Sequence, residues 1–175
     1  MEKSDWITAL STYSVTRERI LEHRFIADVT SELWRRGCFD FVVSHSEVDN
    51  SGYDLIIEAG AVIRHIQLKA VRDGGARRNV DLQRRLGAKP SGCAVLVIHD
   101  PHTLGICGYR LFAAPPGAPL PDLGAKPVRH TKANSAGHKA ERPTLRSVSI
   151  ACFQPVADIG ALVDRLFGEQ EALGS

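Results

Sequence analysis

None of the four cysteines, Cys38, Cys93, Cys107 and Cys152, belongs to a C-x-x-C pair, and no histidine stands at zinc-finger spacing beside them. This excludes the common structural zinc modules. In a reducing compartment such thiols read as buried small hydrophobes. Also missing is any apolar run near the roughly 20 residues that a membrane-spanning helix needs. The opening MEKSDWITALSTYS has no apolar segment behind a basic start, so no signal peptide is expected and the chain is read as cytoplasmic. Internal repeats are absent as well. What is present is an ordinary globular composition of 175 residues, 43% hydrophobic and 24% charged, enough for one domain with a full-sized core.

The net charge of +2 hides a segregation. Residues 1–63 carry 6 Lys/Arg against 11 Asp/Glu, residues 64–89 carry 8 against 2, and residues 126–146 carry 6 against 1. An acidic segment beside two basic ones can build an acidic site with a basic approach, a field that steers a polyanion toward a metal centre. Taken alone, charge runs of this kind are more often solvated faces.

Hydrophobic periodicity sets the element order. TRERILEHRFIADVTSELWRRG (16–37) predicts a helix, with a stripe through Ile20, Phe25, Val29 and Leu33 widened by Leu21 and Ile26. Thr16 is placed to cap it and Gly37 to end it. FDFVVSHS (39–46) predicts a strand and EVDNSG (47–52) a turn. YDLIIEA and VIRHIQLKA predict an antiparallel hairpin turning at Gly60. RRNVDLQRRLGAKPSG (77–92) predicts a short basic helix ending at Gly87 or before Pro90. CAVLVIHD (93–100) is the continuous apolar run of a strand buried on both faces, and GICGYRLF (105–112) is the next strand. A Pro/Gly/Ala loop (113–127) and a polar basic stretch without a period (128–146) follow. SVSIACFQP (147–155) predicts a strand and VADIGALVDRLFG (156–168) a closing amphipathic helix. The sum is an α/β fold with a mixed central sheet flanked by helices. It is read as one domain over 1–175, with a core of about 16–100 and a C-terminal extension of about 101–175.

One strand carries more than packing asks of it. Gln67 and Lys69 share a face of VIRHIQLKA, while Ile66, Leu68 and Ala70 share the other. With the turn near Gly60, pairing sets Asp54 opposite about residue 67. A carboxylate and an amide oxygen are hard ligands suited to Mg²⁺, and a lysine beside them can orient a water or hold charge on a phosphate. Glu22, with Glu18 one turn away, adds a carboxylate from the long helix. Each residue alone has a plainer role, as a turn acid, an edge-strand guard or a helix-surface charge. Their conjunction, in this order, points to chemistry.

This order resembles the PD-(D/E)xK nuclease superfamily, whose αβββαβ core carries its metal ligands on a hairpin and often an acid on the first helix. Asp54 matches the motif Asp, Gln67 the middle position, Lys69 the Lys and Glu22 the helix acid. Tyr53 stands where the motif names Pro, and Gln67 stands where Asp or Glu is usual, so the match is to a Q-x-K form. The resemblance covers roughly residues 16–100. It implies a restriction-endonuclease-like fold, a metal-dependent endonuclease, and Mg²⁺ or Mn²⁺ held by Asp54, Gln67 and Glu22, with Lys69 completing the catalytic set. It also implies nucleic acid as partner, with DNA favoured, no membrane, and a homodimer left open. Arg77, Arg78, Arg84 and Arg85, with Lys132, Lys139 and Arg142 of the polar stretch, are the expected phosphate contacts. The competing expectation is a nuclease fold without activity that binds nucleic acid or a protein partner.

Overall fold

A computed structural model describes residues 3–46, 51–129 and 140–168. The expected turn at 47–52 therefore falls largely outside the described residues, as do Lys132 and Lys139. Two helices open the chain, α1 (Lys3–Thr12) and α2 (Ser14–Arg35). Strands β1 (Phe41–His45), β2 (Leu55–Ala59) and β3 (Val62–Arg72) follow, then β4 (Asn79–Gln83), a 3₁₀ turn (Arg84–Ala88), β5 (Gly92–His99) and β6 (Ile106–Ala113). The chain continues through β7 (Pro127–Arg129), β8 (Glu141–Ser149), β9 (Gln154–Val156) and α3 (Ile159–Phe167). The principal sheet has six strands in the order β1-β2-β3-β5-β6-β9. Its β3–β5 pair is parallel and the others are antiparallel, so the sheet is mixed as expected.

The helix α2 forms where the periodicity places it, but its buried stripe runs through Leu21, Phe25, Val29 and Leu33. Ile20 lies off that stripe and is exposed. Thr16 does not cap the helix. The helix begins two residues earlier, straight after α1, and Tyr13 N–H and C=O continue the hydrogen bonding from Ala9 to Arg17, so no side chain is needed there. The other end closes as expected: Gly37, at φ +78°, and Cys38 return their N–H groups to Trp34 and Leu33. Each fully buried Leu, Phe or Val of the stripe contributes about 1.5–3 kcal/mol.

Both faces of the sheet are covered. On one, α2 and α3 pack against Leu55, Ile57, Ile66, Cys93, Val95 and Val97. On the other, Ala94 and Leu96 of β5 meet Val80, Leu82, Leu86, Val148 and Phe153. The second cover is a three-stranded sheet, β4-β8-β7. The expected basic helix at 77–92 is absent, replaced by β4 and the 3₁₀ turn. Val80 and Leu82 are both fully buried at a spacing of two, and β4 pairs along its length with β8. Burial at period 2 overrides the helical propensity of the arginines around it. The polar stretch 128–146 likewise contributes β7 and most of β8 to this small sheet.

An ion network ties α2 to α3. Glu32, buried, accepts from Arg35 Nε and Nη2 and from Arg36 Nε, each at 2.7 Å. Arg36 also reaches Asp164 and the Gly160 carbonyl. Hydrogen bonds from Arg35, and then from Arg36, hold the Glu32 carboxyl down at about 2. Because this value lies below the unfolded one, the network stabilises the fold above about pH 4.5 and loses that stabilisation as pH falls through about 2. Glu32→Gln is expected to lower the urea midpoint at pH 6, with the difference from wild type closing as the pH approaches 2. A constant difference across that range would mean that Glu32 acts through shape alone.

Candidate active site

Leu55 pairs with Ile66, so Asp54 falls opposite Gln67, the expected register. Asp54 N–H donates to the Ile66 carbonyl at 2.9 Å, the last rung between the two strands. Beyond it the chain turns away through Gly52, at φ +87°. A Cβ there would meet the Leu86 nitrogen at 2.8 Å, so only glycine lets the loop lie against the 3₁₀ turn. With no strand left to pair, the Leu68 N–H is taken by the Asp54 carboxylate at 2.6 Å. This charge-assisted bond fixes the acid at the point where the strands diverge.

Around that point lies a cleft in two adjoining lobes of about 410 and 710 Å³. Asp54, Lys69, Glu18, Glu22, Gln83 and Arg142 line both lobes, and Gln67 lines the larger. The expected catalytic set of Asp54, Gln67, Lys69 and Glu22 is therefore brought together, with α2 and the small sheet as walls. Glu22 is the more enclosed helix acid, its side chain 15% exposed against 65% for Glu18. It is held by Arg19 Nη1 at 2.8 Å and lies 3.3 Å from His45 Nε2.

The electrostatics are those of a desolvated acid–base pair. Burial raises the Asp54 carboxyl, with smaller contributions from Glu22 and Glu18, while Lys69 and the Leu68 N–H oppose the rise. Burial lowers the Lys69 ammonium, against the pull of Asp54. Both shifts mean that folding works against the charged forms. The double variant Asp54→Asn, Lys69→Met is therefore expected to be more stable than wild type at pH 7, by on the order of 1 kcal/mol. A double variant that melts below wild type would show that the two charges hold the cleft together.

The donor set suits a small hard cation. Mg²⁺ commonly takes one or two carboxylates and leaves its other positions to water and phosphate. Asp54, Glu22 and the Gln67 amide oxygen are the cleft groups that would supply such a set, and a cation there would relieve the mutual repulsion of the cleft acids. Among the described residues no three His, Cys, Asp or Glu side chains already stand as a metal-ligand group. Gln67, 4% exposed, accepts from the Gln83 N–H at 2.9 Å, which keys β4 to β3 and leaves one lone pair of the amide oxygen.

The expected basic residues divide. Arg77 and Arg142 line the cleft, Arg142 arriving from β8 of the unforeseen sheet. Arg78 offers its carbonyl to Ile150 N–H. Arg84 lies with Arg146 in a separate depression, and Arg85 packs at Gly52. Cleft residues that the sequence pattern did not single out include Arg17, His45, Asp81 and Gln83. His45 enters through the register of β1 on β2, where its partner Leu55 adjoins Asp54, a pairing that no motif marks.

No family model and no curated protein matches the chain. In structure it is similar to a Holliday junction resolvase from the archaeal hyperthermophile Archaeoglobus fulgidus, solved at 1.6 Å, with 12% sequence identity and a TM-score of 0.36. The alignment covers 81% of this chain and 98% of the resolvase.

Proposed function

We propose that this chain is a divalent-metal-dependent endonuclease of the PD-(D/E)xK type that hydrolyses phosphodiester bonds in nucleic acid, with DNA the expected polymer. The observation that carries this reading is the cleft pair itself. Asp54 and Lys69 are kept half-buried and electrostatically coupled, with Gln67 and Glu22 beside them. Packing alone would be better served by apolar residues. Asp54, Gln67 and Glu22 would hold Mg²⁺ or Mn²⁺, and the bound ion supplies Lewis-acid stabilisation of phosphoryl charge and a more acidic water. Lys69 orients the attacking water, or holds charge that develops on the phosphate, through Nζ. Its ammonium, lowered by burial, is the better suited to exchanging a proton. Arg77 and Arg142 bind flanking phosphates at the mouth of the cleft.

The test is a cleavage assay on supercoiled plasmid, linear duplex, single-stranded DNA and RNA, with Mg²⁺, Mn²⁺ or chelator. Cutting that requires metal is expected, and Gln67→Glu should keep or raise it at low metal, because a carboxylate attracts the cation more strongly than an amide. A specific observation favours a second reading. Gln67 is committed in part to the Gln83 N–H, and Glu22 is engaged by Arg19 and His45. A nuclease fold that binds nucleic acid without cutting would look like this. Wild type that retains DNA but leaves every substrate intact with Mn²⁺ would favour that reading. Retention of a protein partner instead would move the function away from nucleic acid.

A further inference from the structure

Arg17 stands in the first turns of α2 and is among the residues that line the same cleft lobe as Asp54, Lys69 and Arg77. It is only partly committed. Nη1 donates to the Leu10 carbonyl at 2.6 Å, which pins α1 to α2. Nη2 meets Glu18 Oε1 at 3.1 Å, and the Glu18 side chain is 65% exposed. Nε is buried and donates to nothing, the one such side-chain atom among the described residues. A buried N–H without an acceptor is unfavourable and uncommon. Anchoring α1 needs only Nη1, so the anchor role leaves the orphan unexplained.

We infer that Arg17 is a phosphate-binding residue of the cleft, whose guanidinium exchanges Glu18 for a phosphodiester oxygen and thereby satisfies Nε. This deepens the nuclease reading and rests on it, since it assigns a residue to the substrate of that site. The exchange is favourable on general grounds. An ion pair with an exposed glutamate is weak. An arginine fork meets a phosphate with two parallel N–H bonds, stronger than neutral hydrogen bonds. Because Nε is buried, the proposal requires the guanidinium to turn toward the cleft while Nη1 keeps its hold on Leu10. Release of Glu18 also leaves a second carboxylate beside Glu22 at the cleft wall.

The experiment is fluorescence anisotropy with a labelled oligonucleotide, in chelator so that nothing is cut, over a salt series. The proteins are wild type, Arg17→Gln, Arg17→Lys, and Arg24→Gln as a control from an exposed position farther along α2. Thermal melting is followed in parallel. Arg17→Gln keeps an amide donor for Leu10 but removes the charge. It should bind roughly 3- to 10-fold more weakly and flatten the slope of log K against log salt by about 0.7–0.9, the share of one phosphate contact. Arg17→Lys should recover the slope but only part of the affinity, and Arg24→Gln should match wild type. If wild type binds with a steep salt dependence that Arg17→Gln leaves unchanged, Arg17 is an anchor for α1 and this inference is wrong while the nuclease reading stands. If wild type binds no oligonucleotide at all, both are wrong. Should Arg17→Gln fail to fold, Arg17→Lys decides: wild-type affinity would overturn the assignment, and a loss with the slope retained would support it.

Discussion

Lys69→Ala is expected to lose at least about two orders of magnitude in cleavage rate, the usual scale for a positioned acid–base or electrostatic group. Its binding of nucleic acid in chelator should stay near wild type. Asp54→Ala is expected to lose as much, since it removes both a proposed metal ligand and the acceptor of the Leu68 N–H. On the proposed mechanism the two losses should not add, because both residues would act on one reacting centre and each favours the charged form of the other against burial. Single-turnover rates for both variants and for the double variant give the comparison. Binding is the informative control. Lys69→Ala removes one cation from the cleft while Arg77 and Arg142 remain, and Asp54→Ala removes a negative charge and should hold the polyanion slightly better. If Lys69→Ala cuts as fast as wild type, the lysine is not part of the chemistry and the Q-x-K correspondence fails.

The hairpin was legible because its determinants are local. Gly60 sets the turn, alternation sets the faces, and together they place Asp54 opposite Gln67. The polar face of β3 was legible for the same reason: two polar side chains two residues apart, flanked by apolar ones, point the same way in any strand. The small sheet was not. Its central strand, β8, pairs with β4 across more than sixty residues of sequence, and most of its first half is exposed and polar, so no alternation marks it. The segment 77–92 reads as a short basic helix, and only the partner strand reveals that Val80 and Leu82 are what it buries. Arg142 stands out in the sequence by its charge alone, and its place in the cleft comes from the pairing of β8. Arg17 and His45 needed the packing of α1 on α2 and the register of β1 on β2, neither of which is marked by a motif.

Arg64 is the other residue whose role only the packing reveals, and its removal is expected to give the largest stability change. It lies on β3 three residues before Gln67, on the face turned toward the helices, and is fully buried. No carboxylate receives it among the described residues. Its Nε donates to the Leu166 carbonyl at 2.5 Å and Nη2 to the Arg165 carbonyl at 2.9 Å. Nη1 and Nη2 share the Ala114 carbonyl at 3.1 and 3.2 Å. Two of these acceptors close α3, where the last carbonyls have no intrahelical donor and the helix dipole is negative. Burial lowers the guanidinium from its ordinary value, but that value is so high that the group stays charged at neutral pH. Arg64→Leu fills much of the volume and strands three carbonyls. At about 1–3 kcal/mol for each unmet buried group, offset by relief of the buried charge, the expected loss is about 3–5 kcal/mol. Against a typical total of about 5–15 kcal/mol, a loss of that size leaves a marginal fold. Arg64→Lys, which reaches fewer carbonyls with a single nitrogen, should fall between the two. Urea unfolding measures all three proteins, and hydrogen exchange should show the end of α3 opening first in Arg64→Lys. A loss under about 1 kcal/mol for Arg64→Leu would mean that desolvating the guanidinium nearly cancels what its hydrogen bonds return. The residue would then have to be explained by something other than stability.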